Sequence, residues 1–194
     1  LCSDINIFNF AKKCTNLKRI VYASSSEVVS DTTQHPVMEN VDVCIHNIHN
    51  PRWSYRLGKI CAENFLVNSK LPWLICRYFN IYGKDSKSGH FIADQIEKIR
   101  KSKFEIIGSY ETRSFCYVSD AVEATIYCTI QTQHEIINIG NDSEILIMDA
   151  ANLIAKELGH ECPNWTIIPG LPGSTSNRKP HIGRLKSIMK TYKP

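Results

Sequence analysis

The stretch Arg19-Ile20-Val21-Tyr22-Ala23-Ser24-Ser25-Ser26-Glu27-Val28 decides the fold class. Its first half is short, apolar and rich in β-formers. Such a run suits a strand buried on both faces, as in a parallel sheet. Its second half turns abruptly to hydroxyls and a carboxylate. Polar groups at the carboxyl end of a parallel strand lie where α/β sheets bind ligands.

Upstream, Ser3 to about Cys14 predicts a helix, with Ser3 as N-cap and Ile7, Phe8 and Ala11 on one face. Downstream, Ser30 to Pro51 carries turn-type and polar residues with few periodic signals, and predicts a long functional or surface loop. Tyr55 to about Ser69 predicts a helix whose apolar stripe is Leu57, Cys61 and Phe65, at every fourth position. Trp73 to Phe79 is the next strand, Phe91 to about Lys101 a helix, and Phe104 to Ile107 a strand. Ser119 or Asp120 can cap a helix running to about Gln131. Glu135 to Ile139 follows as a strand, then a helix from Ile147 to Leu158 stopped by Gly159, and a last strand at Trp165 to Ile168. Alternating β and α elements predict an α/β fold with a mainly parallel sheet.

Composition narrows the function classes. The chain has 194 residues, which suits one domain or one and a fraction. With 43% hydrophobic and 22% charged residues it can build a core, so disorder is not the default. The net charge of +4 is spread. Its densest basic runs, Lys98 to Lys103 and Arg178 to Lys193, read as a solvated helix face and a basic tail rather than a nucleic-acid surface. The eight cysteines form no CxxC pair, and several lie inside apolar runs such as Leu74-Ile75-Cys76. They read as small buried hydrophobes in a reducing compartment, which predicts a cytoplasmic protein. No stretch approaches the ~20 apolar residues of a membrane helix, and the histidines show no ligand spacing, so neither a membrane nor a metal site is expected.

Chemistry concentrates around Tyr55-Arg56-Leu57-Gly58-Lys59. Spacing i, i+4 puts Tyr55 and Lys59 on one helix face, a turn apart. A cation held beside a phenol favours the phenolate, so the pair can serve as a general base toward a sugar hydroxyl. Alone, two common residues four apart read as an exposed Tyr and Lys. They are not alone. Ser24-Ser25-Ser26-Glu27-Val28 precedes them, Arg77-Tyr78-Phe79-Asn80-Ile81-Tyr82-Gly83 follows at the next strand end, and Arg113-Ser114-Phe115-Cys116-Tyr117-Val118-Ser119-Asp120 and Asn138-Ile139-Gly140 come after.

These five motifs, in this order and spacing, resemble those of the nucleotide-sugar epimerase/dehydratase family, NAD-using enzymes of the extended short-chain dehydrogenase class. The resemblance covers Ile5 to about Pro194. It implies a partial Rossmann-like, doubly wound parallel sheet with a small C-terminal α/β substrate-binding region. Residues 1–83 would be the later part of the NAD-binding domain. Residues 84–194 would be mainly the substrate-binding region, with some elements returning to the sheet.

The resemblance also implies roles. Ser25 would hydrogen-bond the sugar hydroxyl being oxidised, Tyr55 would be the catalytic base, and Lys59 would bind the nicotinamide ribose. Tyr78 would line the cofactor site, Asn80 and Arg113 would contact the substrate diphosphate, and Arg178 would be a second phosphate ligand. A guanidinium's fork matches phosphate oxygens. NAD is the implied cofactor, a nucleotide sugar the substrate, and a homodimer through the Tyr55 helix the assembly. Beside these, Asp120 reads equally as a helix cap, Asn138 and Gly140 as shapers of a strand-end turn, and Trp53 and Trp73 as packing residues.

Family members oxidise the sugar, usually at C4, and the ketone then permits epimerisation, water elimination or decarboxylation. Ser25-Ser26-Glu27-Val28 and Asn50-Pro51-Arg52-Trp53-Ser54-Tyr55 lean toward the UDP-glucuronate decarboxylases. There the acid at Glu27 and the arginine at Arg113 are linked to decarboxylation. A 4-keto uronic acid is a β-keto acid, so its ketone accepts electrons as carbon dioxide leaves. The alternatives are a nucleotide-sugar 4,6-dehydratase, or a catalytically incompetent fragment acting only as an interaction module.

Two departures stand out. The sequence has no G-x-x-G-x-x-G phosphate turn and begins with Leu, not Met. At ~30 residues per βαβ unit, about three units, or roughly 90 residues, are expected upstream. Val29-Ser30 also stands where the family usually has Tyr-Gly.

Overall fold

A computed structural model describes residues 1–30, 32–45, 49, 53–161, 163–170 and 176–194. In chain order the elements are α1 (Cys2–Ala11), β1 (Ile20–Ser25), a 3-10 turn (Ser26–Val29), α2 (Trp53–Val67), β2 (Trp73–Tyr78), β3 (Ile81–Tyr82), α3 (Phe91–Arg100) and β4 (Glu105–Ile107). Then come β5 (Thr112–Arg113), β6 (Cys116–Tyr117), α4 (Val118–Gln131), β7 (Glu135–Ile139), β8 (Ile145–Leu146), α5 (Ile147–Glu157), β9 (Thr166–Ile168), β10 (Asn177–Arg178) and α6 (Gly183–Ile188).

The main sheet is parallel, in the order β1-β2-β7. It is covered on both faces, which is why its strands are apolar without alternation. In β2, Trp73 and Ile75 face a cluster with Phe8 and Ala11 of α1, Tyr22 of β1, and Ala62 and Leu66 of α2. Leu74 and Cys76 face the opposite cluster, with Ala121, Ala124 and Cys128 of α4, Ile137 and Ile139 of β7, and Leu185 of α6. Period-2 side-chain direction along one strand thus feeds two cores, the doubly wound α/β arrangement expected. Smaller sheets, β10-β5-β8, β3-β6 and β4-β9, are built from the chain between β2 and β7 and from the chain after β7. Ile106, Ile147 and Ala151 form the core there.

Several sequence expectations need correction. The first helix starts at Cys2 with no side-chain cap, so Ser3 is inside it, and it ends at Ala11. The helix beginning at Val118 has Tyr117 at its cap and again no side-chain cap bond. Asp120 lies in its first turn and accepts from Ser119 Oγ at 3.1 Å, so neither residue caps. On α2 the buried residues are Trp53, Arg56, Ala62, Glu63 and Leu66. Leu57 and Phe65 are half-buried and Cys61 is exposed, so the predicted stripe is rotated away from the deepest contact. Cys2, Cys14, Cys44 and Cys61 are exposed; only Cys76, Cys116 and Cys128 match the buried reading, and Cys162 lies outside the described residues. Trp165 to Ile168 is not the last strand, because β10 follows.

The Ser30–Pro51 segment is more than a surface loop. Val37 and Glu39 are buried, Val37 bridges Pro180, and Glu39 accepts the Asn138 backbone N–H at 3.1 Å. Asn138 itself, fully buried, donates from its side chain to Val37 O at 2.9 Å, so it ties the loop to β7 rather than shaping a turn. The basic tail is likewise built in: Arg184 pairs with Glu135 at 2.6 Å and Lys186 with Asp142 at 2.7 Å. No helix among the described residues is long and apolar enough to cross a membrane.

Gly140 ends β7 against the β2–β3 corner. A Cβ there would lie 2.9 Å from Phe79 Cβ and 3.0 Å from Pro180 Cγ. Backbone and ring leave little room to yield, and overpacking of this kind costs about 1–3 kcal/mol. Gly140→Ala is therefore expected to lower the free energy of unfolding by that amount, read in urea as a lower midpoint at unchanged slope.

Candidate active site

The site lies at the carboxyl ends of β1 and β2, where their backbone stops pairing and side chains face an opening. Ser25 closes β1, directly across from Tyr78 at the end of β2. Its φ of −145° keeps it extended, and its Oγ accepts the Glu27 N–H at 3.2 Å, which starts the 3-10 turn. That turn presents Glu27. Ser30 stabilises it by donating from Oγ to Glu27 O at 3.0 Å. Ser30 has φ −68°, so the position does not require glycine, and Val29 is buried against Val28, Val37 and Phe79.

Helix α2 brings Tyr55 and Lys59 to the same opening. Lys59 Nζ donates to Ala23 O at 2.6 Å, which anchors the ammonium beside the end of β1. It sits 5.9 Å from the Tyr55 ring centroid and 4.7 Å from that of Tyr22. Tyr55 is 55% exposed and reaches into the cleft from its rim. Burial and the neighbouring carboxylates push the Tyr22 phenol well above its ordinary value, so it serves as a neutral, aromatic floor under the ammonium.

Tyr78 is held differently. Thr125 Oγ1 donates to Ala121 O at 2.7 Å, so its one proton is spent, and Tyr78 must donate to Thr125 across 2.9 Å. Burial raises the Tyr78 phenol, and that keeps the donor in place. Tyr78 therefore fastens β2 to α4 while lining the cleft.

One cleft of about 960 Å³ collects Ser25, Glu27, Tyr55, Lys59 and Tyr78, with Val118, Val122 and Ile126 of α4 as its apolar wall. A second of about 300 Å³ adjoins it, lined by Lys98, Glu111, Arg113 and Phe115 among others. Asn80, His90, Phe91 and Arg178 line both. Asn80 takes φ +42°, which asparagine tolerates. Its Nδ2 donates to Ser114 O at 2.9 Å, so this amide group is engaged with backbone in the described structure. Arg178 Nη1 pairs with Glu27 Oε1 at 2.7 Å, and Arg113 Nη2 pairs with Glu111. Ser25, Glu27, Tyr55, Lys59, Tyr78, Asn80, Arg113 and Arg178 thus border one pair of clefts, whereas Asp120, Asn138 and Gly140 line neither. His90, Phe91, Val122 and Ile126 carried no motif and were missed; the signal available was their place next to Gly89 and to the Arg113–Asp120 motif, which holds Val118 of the same wall.

Beneath the cleft lies a buried polar network. Arg77 donates from Nε and Nη2 to the two oxygens of Glu63, at 3.0 and 2.7 Å, and from Nη1 to Glu39 O at 2.9 Å. Ser24 Oγ donates to Glu63 Oε1 at 2.5 Å. Among the described residues no group of three or more His, Cys, Asp or Glu is placed to hold a metal. The segment Asn50–Arg52, part of the decarboxylase-like stretch, lies outside the described residues.

The sequence model of the NAD-dependent epimerase/dehydratase family matches residues 3–140, and the chain belongs to that family. It is 34% identical over 187 residues to the UDP-N-acetyl-alpha-D-glucosaminuronate decarboxylase of Bacillus cytotoxicus, covering 88% of this chain and 57% of that protein. A solved UDP-N-acetylglucosamine 4-epimerase from Methanobrevibacter ruminantium M1, in complex with UDP-N-acetylmuramic acid, matches with a TM-score of 0.85 at 22% identity, over 100% of this chain and 63% of that one. A mutant UDP-glucuronic acid 4-epimerase from Bacillus cereus, in complex with UDP-4-deoxy-4-fluoro-glucuronic acid and NAD, matches with a TM-score of 0.86 at 20% identity, over 100% and 62%. At such identities the structural likeness is one of fold. The chain spans about half the length of the curated relatives it matches.

Proposed function

We propose that the protein is an NAD-dependent enzyme that modifies a nucleotide sugar through transient oxidation of a sugar hydroxyl. The observation that carries this is the convergence of Ser25, Tyr55 and Lys59 on one cleft, beside a second cleft bordered by Arg113 and Arg178. In this reading Ser25 Oγ holds the sugar hydroxyl, and Tyr55 Oη takes its proton. The ammonium of Lys59, fixed on Ala23 O, attracts the charge that develops on the Tyr55 oxygen. Arg113 and Arg178 hold the diphosphate, and Asn80 sits between the two groups.

The residues present fit the nicotinamide-ribose end of NAD. Lys59 and Tyr55 offer polar partners for a ribose diol, and Val118, Val122 and Ile126 offer an apolar wall for an aromatic ring. When bound, NAD supplies the hydride acceptor.

Among the outcomes open to a 4-keto sugar, decarboxylation is the one we favour over epimerisation. Glu27 lies in the sugar cleft. The relatives over 25% identical that carry decarboxylase names include the Bacillus protein and several from Arabidopsis thaliana. A homodimer is part of the proposal: α1 leaves Ile7 and Phe10 exposed beside α2.

The test begins by denaturing purified protein and assaying released nucleotide. NAD-loaded protein is then given UDP-glucuronate. Carbon dioxide and a UDP-pentose support decarboxylation, and a UDP-hexuronate epimer without carbon dioxide supports epimerisation. Absence of NAD from this stretch alone would place the missing cofactor contacts upstream; a folded full-length protein that neither carries nor takes up NAD overturns the enzymatic reading and leaves the interaction module.

A further inference from the structure

The two arginines assigned to the diphosphate already hold carboxylates. Arg178 and Arg113 are register partners on the parallel strands β10 and β5. Two guanidinium groups so placed repel each other, and both are largely out of water: side-chain exposure is 10% for Arg178 and 12% for Arg113. Burial, and next the charge of Arg178, hold the Arg113 guanidinium below its ordinary value. Glu111 and Glu27 offset this by pairing with Arg113 and Arg178 respectively. The quartet is formally neutral. A diphosphate entering it brings negative charge that must share or displace one of the carboxylates.

The two carboxylates are not equivalent. Glu111 borders only the smaller cleft, with its own arginine. Glu27 borders the sugar cleft, and its arginine lines both clefts. Arg178 is thus the one member of the quartet that reaches from the phosphate side to the acid on the sugar side.

We propose that Glu27 is an intramolecular competitor for Arg178, and that a bound diphosphate draws Arg178 away from the Glu27 carboxylate on the sugar side. This rests on the reading of the clefts as a nucleotide-sugar site and adds a coupling between its two halves. Glu27 and the diphosphate are then alternative partners of one guanidinium, so filling the phosphate side weakens the grip of Arg178 on the acid of the sugar side. By linkage, formation of the Glu27–Arg178 pair weakens diphosphate binding by the same factor that bound diphosphate weakens the pair.

The experiment is calorimetric titration of the purified protein with UDP, comparing wild type, Glu27→Gln, Arg178→Gln and the double variant, each checked for folding by thermal melting. Coupling between sites commonly amounts to about fivefold or more in affinity. Glu27→Gln is expected to lower the Kd for UDP by at least that factor, and the gain is expected to vanish when Arg178 is already Gln. Glu27→Asp keeps the charge but shortens the reach to Arg178, and is expected to tighten UDP as well. It also serves if Glu27→Gln does not fold. Unchanged or weaker UDP binding in the Glu27 variants would overturn the proposal, because Glu27 would then be orienting Arg178, not competing for it. A gain that persists in the Arg178→Gln background would also overturn it, as a bulk charge effect. Failure of wild type to bind UDP at all would instead sink the underlying reading of the clefts, and the coupling with it.

Discussion

Arg77→Ala is expected to remove about 3–5 kcal/mol of folding stability, the cost of stranding one member of a buried ion pair. Glu63 and Arg77 are 7% and 4% exposed, and their bidentate pairing is completed by Ser24 and by the Glu39 carbonyl. Without the guanidinium, the Glu63 carboxylate remains buried with one hydroxyl for company. Domains of this size hold only about 5–15 kcal/mol in reserve, so much of the protein is expected to lose its cooperative transition or its solubility. The two-residue replacement Arg77→Met with Glu63→Leu removes both charges together and is expected to recover most of the loss, since well-packed apolar substitutes for buried pairs are often neutral or better. Urea denaturation of the three proteins checks this. A single variant within about 1 kcal/mol of wild type, the range of exposed pairs, would mean that water reaches Glu63.

The position of this network gives the prediction its interest. Ser24 precedes Ser25 on β1, Arg77 precedes Tyr78 on β2, and Glu63 follows Lys59 by one helical turn on α2. One ion pair therefore cross-links the three elements that carry the proposed chemistry. Apolar contacts through Ala62 and Leu66 are non-directional, whereas a bidentate pair adds a geometric constraint.

The same network explains why the sequence was legible only in part. The strands β1, β2 and β7 and the helix α5 announced themselves, because continuous apolar runs and a stop at Gly159, here at φ +84°, are local signals. The two-residue strands β3, β5, β6, β8 and β10 did not, because such short pairs are defined by partners far away in sequence and carry no periodicity. The apolar spacing of Leu57, Cys61 and Phe65 marked only the edge of the buried face of α2, where Phe65 stacks on Phe8 while Cys61 is exposed. Burial there is decided by what the strands offer, and β2 offers Arg77, so the helix turns Glu63 inward with Ala62 and Leu66. A charged residue at the end of Leu74-Ile75-Cys76 was the available clue, since arginine is almost never fully buried unless paired. The candidate site fared better: its side chains sit at strand ends and on one helix face, where short motifs record geometry directly. What motifs could not record was the pairing of Arg178 with Glu27, 151 positions apart.

Tyr55→Phe is expected to lower turnover by about 10²–10⁴-fold or more, the usual contribution of a positioned general base, while leaving the fold unchanged. The structural half of this expectation rests on exposure. Tyr55 is 55% exposed, and the nearest charge, Lys59, is anchored on Ala23 O rather than on the phenol. Losing one hydroxyl from the rim of a cleft costs little packing, and the ring that faces Lys59 is kept. The chemical half rests on what replaces the base. Ser25 Oγ cannot take a proton readily at neutral pH and already accepts the Glu27 N–H, and Lys59 donates to Ala23 O rather than accepting. With the phenol gone, neither Ser25 nor Lys59, the two side chains that act with it in the proposed mechanism, can receive the hydroxyl proton efficiently. The loss should therefore fall on kcat, with the Kd for UDP unchanged, because the diphosphate would be held at Arg113 and Arg178 in the neighbouring cleft. Thermal melting, UDP titration and turnover of UDP-glucuronate with NAD make the comparison complete. Wild-type kcat in a folded Tyr55→Phe protein would remove Tyr55 from the mechanism. Loss of UDP affinity alongside kcat would show instead that the two clefts are not separate in function.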